Sequence, residues 1–321
     1  MQIRVSLIFA TILTFLSGAR DAHADDWPTR PIRVIVPVSA GSAADIVSRT
    51  VFDQLSHQLG QPIIVENRPG ASSTIGARTV AQADPDGYTL LSISTAHTIA
   101  PATVANLAYD PVKDFAAVAS LGNLPNVLVI APSKNIHTVK ELVAASKVKP
   151  IMFGSTGIGS PIRLAMERLR TAAEIEAEAI PFKGAPEALL ETMTGRIDVY
   201  YSAVLAALPL IRDGKLIPLA VSSRDRALAL PDVPTTLEAG YPNSDFNFWI
   251  GVFAPAKTPR AIVNKLNSEI FKTLEMPDIR SKLAKLGVQP MPMSTEQFDA
   301  YVRDEIISNA ALAKAAGINA Q

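Results

Sequence analysis

Four apolar runs in this sequence are each followed by a stretch of small or hydroxyl-bearing residues. The first, reached through Pro37 and Val38, is Ser39-Ala40-Gly41-Ser42-Ala43-Ala44-Asp45. The second is Ser94-Thr95-Ala96-His97-Thr98. The third is Gly154-Ser155-Thr156-Gly157-Ile158-Gly159-Ser160-Pro161, and the fourth is Ser202-Ala203. Small side chains let a ligand approach the backbone closely. Free N–H groups at a helix start, with the positive end of its dipole, favour an anion. In an open parallel sheet such loops gather at the carboxyl edge, where ligands bind. Together the four loops point to an anion-accepting cleft of backbone and hydroxyl donors. Taken singly, each also fits ordinary capping: Ser42 as an N-cap with Asp45 at N3, and Ser160-Pro161 as an N-cap and N1 pair.

Catalytic signatures are missing. The chain has no G-x-S-x-G, no G-x-x-x-x-G-K-[ST] and no H-E-x-x-H. It has no cysteine, which excludes disulfides, thiolate catalysis, Cys-ligated zinc and iron–sulfur clusters. No metal site and no cofactor are expected. His57, His97 and His137 are not spaced as ligands on one helix face. His57 and His137 read as surface residues, whereas His97, just past a strand, is a candidate to touch a ligand. An enzyme alternative would pair Asp45 with His97 as a base; a receptor without turnover is the main reading. Tyr200 and Tyr201 alternate faces on a strand, so one points to the core. The run Phe246–Trp249 reads as a crossing between domains, with Trp249 a candidate to line the cleft. Lys183, in Phe182-Lys183-Gly184, is a possible anion contact or a surface charge.

The elements that would position these residues alternate between strand and helix. Apolar strand runs are Ile32–Val36, Pro62–Glu66, Thr89–Ser94, Val127–Ile130, Ile151–Gly154, Ile197–Tyr201 and Leu216–Val221, the last at an edge because of Pro218. Val47, Val51, Leu55 and Leu59 recur every four residues and Gly60 follows, which predicts a helix from Asp45 to Leu59. Capping boxes are predicted at Thr138/Glu141 and Ser294/Gln297, and an N-cap at Thr258 before Pro259. Ile262, Leu266, Ile270 and Leu274 line one face of a helix. The pattern is α/β with mostly parallel sheets. No linker separates two domains, so the chain is expected to cross between them more than once.

With 321 residues, 48% hydrophobic and 19% charged, the chain has material for two folded domains. Thirty basic and thirty acidic residues give zero net charge, without the basic footprint of a nucleic-acid binder. Residues 1–24 read as a cleavable export signal: Arg4, an apolar stretch from Val5 to Leu16, then Ala22-His23-Ala24. No cysteine follows for lipid attachment, so a free periplasmic chain is expected.

The same segments resemble the Bug family, the TctC-like solute receptors of tripartite tricarboxylate transporters. The resemblance is carried in order by Trp27-Pro28-Thr29-Arg30-Pro31-Ile32, Pro37–Asp45, Val65-Glu66-Asn67-Arg68-Pro69-Gly70-Ala71 and Pro85-Asp86-Gly87-Tyr88-Thr89. It continues through Tyr109–Phe115, Gly157–Pro161, Phe182–Gly184, Leu230–Thr235 and Ala254–Pro259. It implies a two-domain periplasmic binding protein of flytrap fold, with ligand between the domains. By the same resemblance the first domain is discontinuous, 25–125 plus 251–321, and the second is 126–250. It implies a carboxylate ligand gripped through backbone groups and water, with transporter subunits as partners and a monomeric chain. A subunit that senses a ligand for a membrane histidine kinase would have the same fold. The chain departs from the family pattern at Val38 in place of Phe, at Ser42 and Ala43 in place of glycines, and at Ala44 in place of Thr. Ser202-Ala203 replace Asp-Asn, which suggests a more apolar or neutral distal group on the ligand.

Overall fold

The computed structural model describes residues 27–157, 160–182 and 184–320. Residues 1–24, expected to be an export signal, lie outside the described residues, as do Ile158, Gly159 and Lys183.

Ten strands form two five-stranded sheets. In chain order they are β1 Ile32–Val36, β2 Ile63–Asn67, β3 Thr89–Ser94, β4 Phe115–Asn123 and β5 Asn126–Ile130, then β6 Ile151–Ser155, β7 Ala177–Pro181, β8 Val199–Ala203, β9 Ile217–Val221 and β10 Trp249–Pro255. The helices are α1 Ala43–Leu59, α2 Thr74–Ala81, α3 Ala96–Thr103, α4 Val139–Ser146 and α5 Pro161–Ala172, then α6 Ala185–Met193, α7 Val204–Arg212, α8 Arg260–Glu275, α9 Pro277–Lys285 and α10 Thr295–Ala315.

The two sheets share one plan. The first has the order β2-β1-β3-β10-β4 and the second β7-β6-β8-β5-β9. In each, four strands run one way and one runs against them. The reversed strands, β5 and β10, are the first that the chain lays down after leaving the other sheet. The chain thus crosses from the first sheet to the second between Asn123 and Asn126, and returns through Phe246–Phe248. Pro218 sits in edge strand β9, beside a register shift between Leu128 and Val129, where a missing N–H is tolerated.

Local chemistry explains the elements. Helix α1 buries Val47, Val51 and Leu55, starts at Ser42, whose hydroxyl accepts from Asp45 N at 3.4 Å, and ends at Gly60 with φ 65°. Left-handed φ favours glycine there. The capping box at Ser294 and Gln297 is complete. At the other box Thr138 caps Glu141 N, but the Glu141 carboxylate accepts from His137 N rather than from the cap residue. Helix α8 starts one residue later than the Thr258-Pro259 pair predicts, with Pro259 as cap. Ile262, Leu266 and Ile270 are buried on its inner face.

Strands β4, β7 and β10 and helices α2 and α6 are additional to the sequence expectation. The run of β4, Phe-Ala-Ala-Val-Ala-Ser-Leu-Gly-Asn, is rich in small residues of weak strand preference. It is a strand because β10 pairs along its length.

Candidate functional site

The first loop is built around Asp45. Its side chain is 3% exposed. It accepts the Gly41 N–H at 2.8 Å, the Asn67 amide at 2.8 Å and the Arg49 guanidinium at 3.0 Å. Asn67 also donates to the Val38 carbonyl at 3.0 Å. Both ends of the loop are therefore tied to one buried carboxylate network. Burial pushes the Asp45 carboxyl up, but the bonds from Gly41, Arg49 and Asn67 outweigh it and hold the group below the usual carboxylate range. Gly41 has φ 81°, a conformation that favours glycine. Its N–H is used by Asp45, and that of Ser42 by the Ser39 carbonyl at 3.2 Å.

A cleft of about 550 Å³ opens between the sheets. On the first-sheet side it is lined by Val38, Ser94 and Ala96, and by the turn Ala71-Ser72-Ser73. On the second-sheet side it is lined by Thr156, Gly157, Ser160 and Pro161. Helix α3 contributes Ile99, Ala100 and Thr103, and the returning crossing contributes Phe248. Among its described lining residues, no side chain carries a formal charge.

The second and third predicted loops thus meet at one cleft through Ser94, Ala96, Thr156, Gly157, Ser160 and Pro161, and the first reaches it only at Val38, the residue before it. Ser39, Ala40 and Gly41 are exposed outside its lining, Ser42 and Ala43 lie at the helix start, and Ala44 is buried. Thr95 and Ser155 are buried, Ser155 bonding the backbone of Gly157. Ser160 caps α5 through Arg163 N at 3.2 Å.

Three placements differ from expectation. His97 is fully buried, its Nε2 against the Pro111 carbonyl at 3.1 Å, among Tyr109, Phe115 and Phe253. Burial lowers its pKa to about 4, against a smaller opposing effect of the Pro111 bond, so it is a neutral core residue. It does not line the cleft described above, and it bonds Pro111 rather than Asp45. Ser202 is also buried, its hydroxyl on the Ala203 carbonyl at 3.2 Å, and neither residue lines the cleft. The end of β8 is covered by the crossing chain: Ser202 pairs with Val127, Ala203 with Asn126, and Val204 N donates to the Pro125 carbonyl at 3.1 Å. Trp249 is fully buried and donates from its indole to Glu305 at 2.8 Å. Its neighbour Phe248 lines the cleft instead. Successive side chains of an extended segment point to opposite sides, so a one-residue error in register exchanges wall for core.

Two parts of the cleft wall are absent from the sequence reading. The turn at Ala71–Ser73 follows a family-like stretch but carries no apolar period. Ile99, Ala100 and Thr103 follow from continuing α3 one more turn.

A second cleft, of about 710 Å³, is lined by Asn123, Asn247, Arg168, Arg224, Tyr301 and Glu305 among others. Asn247 and Phe248, adjacent in the chain, therefore line different clefts. The arginines of this second cleft are engaged. Arg168 bonds the Asp245 carbonyl at 3.1 Å and Ser308 at 2.8 Å, and Arg224 pairs with the Asp245 carboxylate at 2.9 Å. The described lining of the smaller cleft is uncharged, whereas the second also carries the carboxylates of Asp225, Asp245, Asp304 and Glu305.

Residues 47–318 match the model of the tripartite tricarboxylate transporter family receptor, TctC. The chain belongs to the TctC family. It is 32% identical over 309 residues to Protein BugT of Bordetella pertussis, covering 94% of each chain. Among solved structures it resembles the R. palustris protein Rpa4515 with adipate, at 31% identity, with a TM-score of 0.79 over 92% of this chain and 100% of that one. It also resembles MatC from Rhodopseudomonas palustris with bound malate, at 32% identity, with a TM-score of 0.75 over 89% of this chain and 99% of that one. The TctC chain is thus an extracytoplasmic solute receptor with a two-domain α/β fold, from a family of binding proteins rather than enzymes. Among the described residues, no helix is long and apolar enough to cross a membrane.

Proposed function

We propose that the cleft between the sheets binds a small organic carboxylate, and that the chain delivers it to a tripartite tricarboxylate-type transporter. The observation that carries this reading is the lining of one cleft by small and hydroxyl residues from both sheets, Ser94 and Ala96 against Thr156, Gly157 and Ser160. Adipate and malate in the two similar structures support the ligand class. Residues 25–125 with 251–321 form one domain and 126–250 the other, and the last turn of α10, with Leu312 and Ala313 in the second core, joins the two. The ligand shifts an open–closed equilibrium because it contacts both walls only when the cleft is shut. Residues 1–24 direct export to the periplasm, with cleavage near Ala24. The grip uses backbone N–H groups, hydroxyls and bridging water rather than an ion pair, and such bridges are nearly as good as direct bonds.

A thermal-shift screen of residues 25–321 against mono-, di- and tricarboxylates tests this, with neutral amides as controls. A ligand at 100 times its Kd stabilises by about 2.7 kcal/mol. For a chain of this length that raises the melting temperature by roughly several degrees. A panel in which amides shift the midpoint and no acid does would refute the carboxylate reading.

A further inference from the structure

The turn Ala71-Ser72-Ser73 has three successive non-glycine residues in the left-handed region, with φ of 44°, 54° and 75°. Each carries a Cβ that this region disfavours. Such strain persists only where surrounding structure holds it, and it collects at ligand clamps. The holding contacts are on the page. Gly76, one turn into α2, packs so closely on the first loop that an added Cβ would lie 2.7 Å from the Pro37 ring and 3.0 Å from the Arg68 carbonyl. Ser73 N donates to the Gly70 carbonyl at 3.0 Å, and Thr74 closes the turn onto the Ala71 carbonyl at 2.7 Å.

Ser73 is the residue of interest. It occupies the N-cap of α2, where serine ordinarily adopts an extended conformation and accepts a backbone N–H. Here it is left-handed and its side chain makes no cap bond. Among the described residues, neither the Ser72 nor the Ser73 hydroxyl has a hydrogen-bond partner, although both residues line the cleft. Of the other hydroxyls of the lining, Thr103 donates to the Ile99 carbonyl, whereas Ser160 and Ser94 accept from Arg163 N and Ala96 N and keep their own protons. Thr156, on the opposite wall, is without a side-chain partner among the described residues. The local preference of these serines is overridden, and their donors are left towards the one uncharged space that the cleft offers.

We propose that Ser72 and Ser73 are specificity-determining residues of the cleft, donating to acceptor oxygens of the bound acid, with Thr156 approaching from the other wall on closure. The assignment rests on the carboxylate reading of the cleft. It adds two hydroxyls without a partner in the chain to the donors that the uncharged wall supplies.

The test compares the wild type with the double variants Ser72→Gly/Ser73→Gly and Ser72→Ala/Ser73→Ala. Malate, adipate, hexanoate and benzoate are titrated calorimetrically into each, and the melting temperature is read without ligand. Glycine removes hydroxyl and strain together; alanine removes the hydroxyl alone. The glycine pair is expected to melt higher than wild type and the alanine pair close to it. Both should weaken the best-bound acid about tenfold or more, the loss expected for one or two hydrogen bonds. Affinities within twofold of wild type in the alanine pair would overturn the proposal, whatever the glycine pair does, because the hydroxyls would then be idle. A glycine pair that melts lower would overturn it too, since the strain would be absent. If none of the four acids binds the wild type, the carboxylate reading fails first and the assignment falls with it, an outcome distinct from binding that ignores the serines.

Discussion

Replacing Asp45 tests whether the first loop is held in shape from behind. The carboxylate is 3% exposed and accepts three donors, from Gly41, Asn67 and Arg49. Hydrogen bonds to charged groups contribute about 1.5–3 kcal/mol each when a buried partner is stranded. The three are not equal. Arg49 is 47% exposed and regains water, so its share is small. Gly41 is exposed and its N–H can also turn to solvent. The Asn67 amide keeps its bond to the Val38 carbonyl but loses its other acceptor. Asp45→Ala should therefore cost about 2–3 kcal/mol in urea unfolding, most of it from Asn67 and the emptied pocket. Asp45→Asn keeps one acceptor oxygen but sets its amide against a donor, and should cost about 1–2 kcal/mol. The effect on function follows from the loop. Gly41, freed of the Asp45 carboxylate, must be ordered again on binding, and every 1.4 kcal/mol of ordering is about tenfold in Kd. Because the folded Asp45 lies below its ordinary 3.8, this contribution is present above that pH and fades as pH falls through the lower folded value. An Asp45→Ala protein that unfolds at the wild-type urea midpoint, with unchanged ligand affinity, would refute the argument.

Two further outcomes are expected. His97, with its pKa lowered to about 4 from 6.5, must be neutral to fold, so its contribution is complete above pH 6.5 and lost as pH falls towards 4; the full difference is about 3 kcal/mol. His97→Gln, able to keep the Pro111 bond, should flatten the stability profile across that window in urea titrations at successive pH values, and an unchanged slope would show that His97 is not the group responsible. Arg168→Ala should lower the melting temperature, because it removes the bonds from α5 to Ser308 and to the Asp245 carbonyl; an unchanged melting temperature would show that these bonds contribute nothing.

The fold was legible wherever local chemistry and tertiary demand agree. The period of Val47, Val51 and Leu55, the stop at Gly60 and the cap at Ser294 each report a local preference that packing leaves in place. Strand β4 was not legible, because its small residues become a strand through a partner 130 residues away in the sequence. The cleft was legible as loops and not as side chains. Sequence marks where strands end, so the loops after β3 and β6 that line the cleft were legible, whereas that after β1 reaches it only at Val38. It does not mark what covers a strand end, so Ser202 and Ala203 were placed in a cleft from which the crossing at Pro125 and Asn126 separates them. His97 and Trp249 fail for a related reason: polar atoms on large rings read as ligand contacts, yet both rings are buried in the core, where the Trp249 indole meets Glu305 and His97 Nε2 meets Pro111 while its Nδ1 has no partner. Ser72 and Ser73 were hidden because nothing in an Ala-Ser-Ser triplet announces a left-handed turn.

The last helix shows why a ligand on one side can be felt on the other. Helix α10 begins in the core of the first sheet, where Phe298 and Val302 pack with Phe253 and Trp249. It ends in the core of the second, where Leu312 and Ala313 pack with Leu164 and Phe246. It is thus a third tie between the domains, besides the two crossings. Between those ends Glu305 receives Thr98 at 2.7 Å, Trp249 at 2.8 Å and Tyr301 at 3.1 Å. Burial pushes its carboxyl up, and these bonds oppose the shift. One turn on, Asn309 donates to Thr98 at 3.2 Å, and Ser308 accepts from Arg168 of α5. Helix α3 carries Ala96 and Ile99 into one wall of the ligand cleft, and α5 carries Pro161 into the other. Both walls are therefore fastened to α10 at their far ends. A rotation that closes the walls is therefore expected to load the bond from Arg168 of α5 to Ser308 of α10, outside the lining of the ligand cleft.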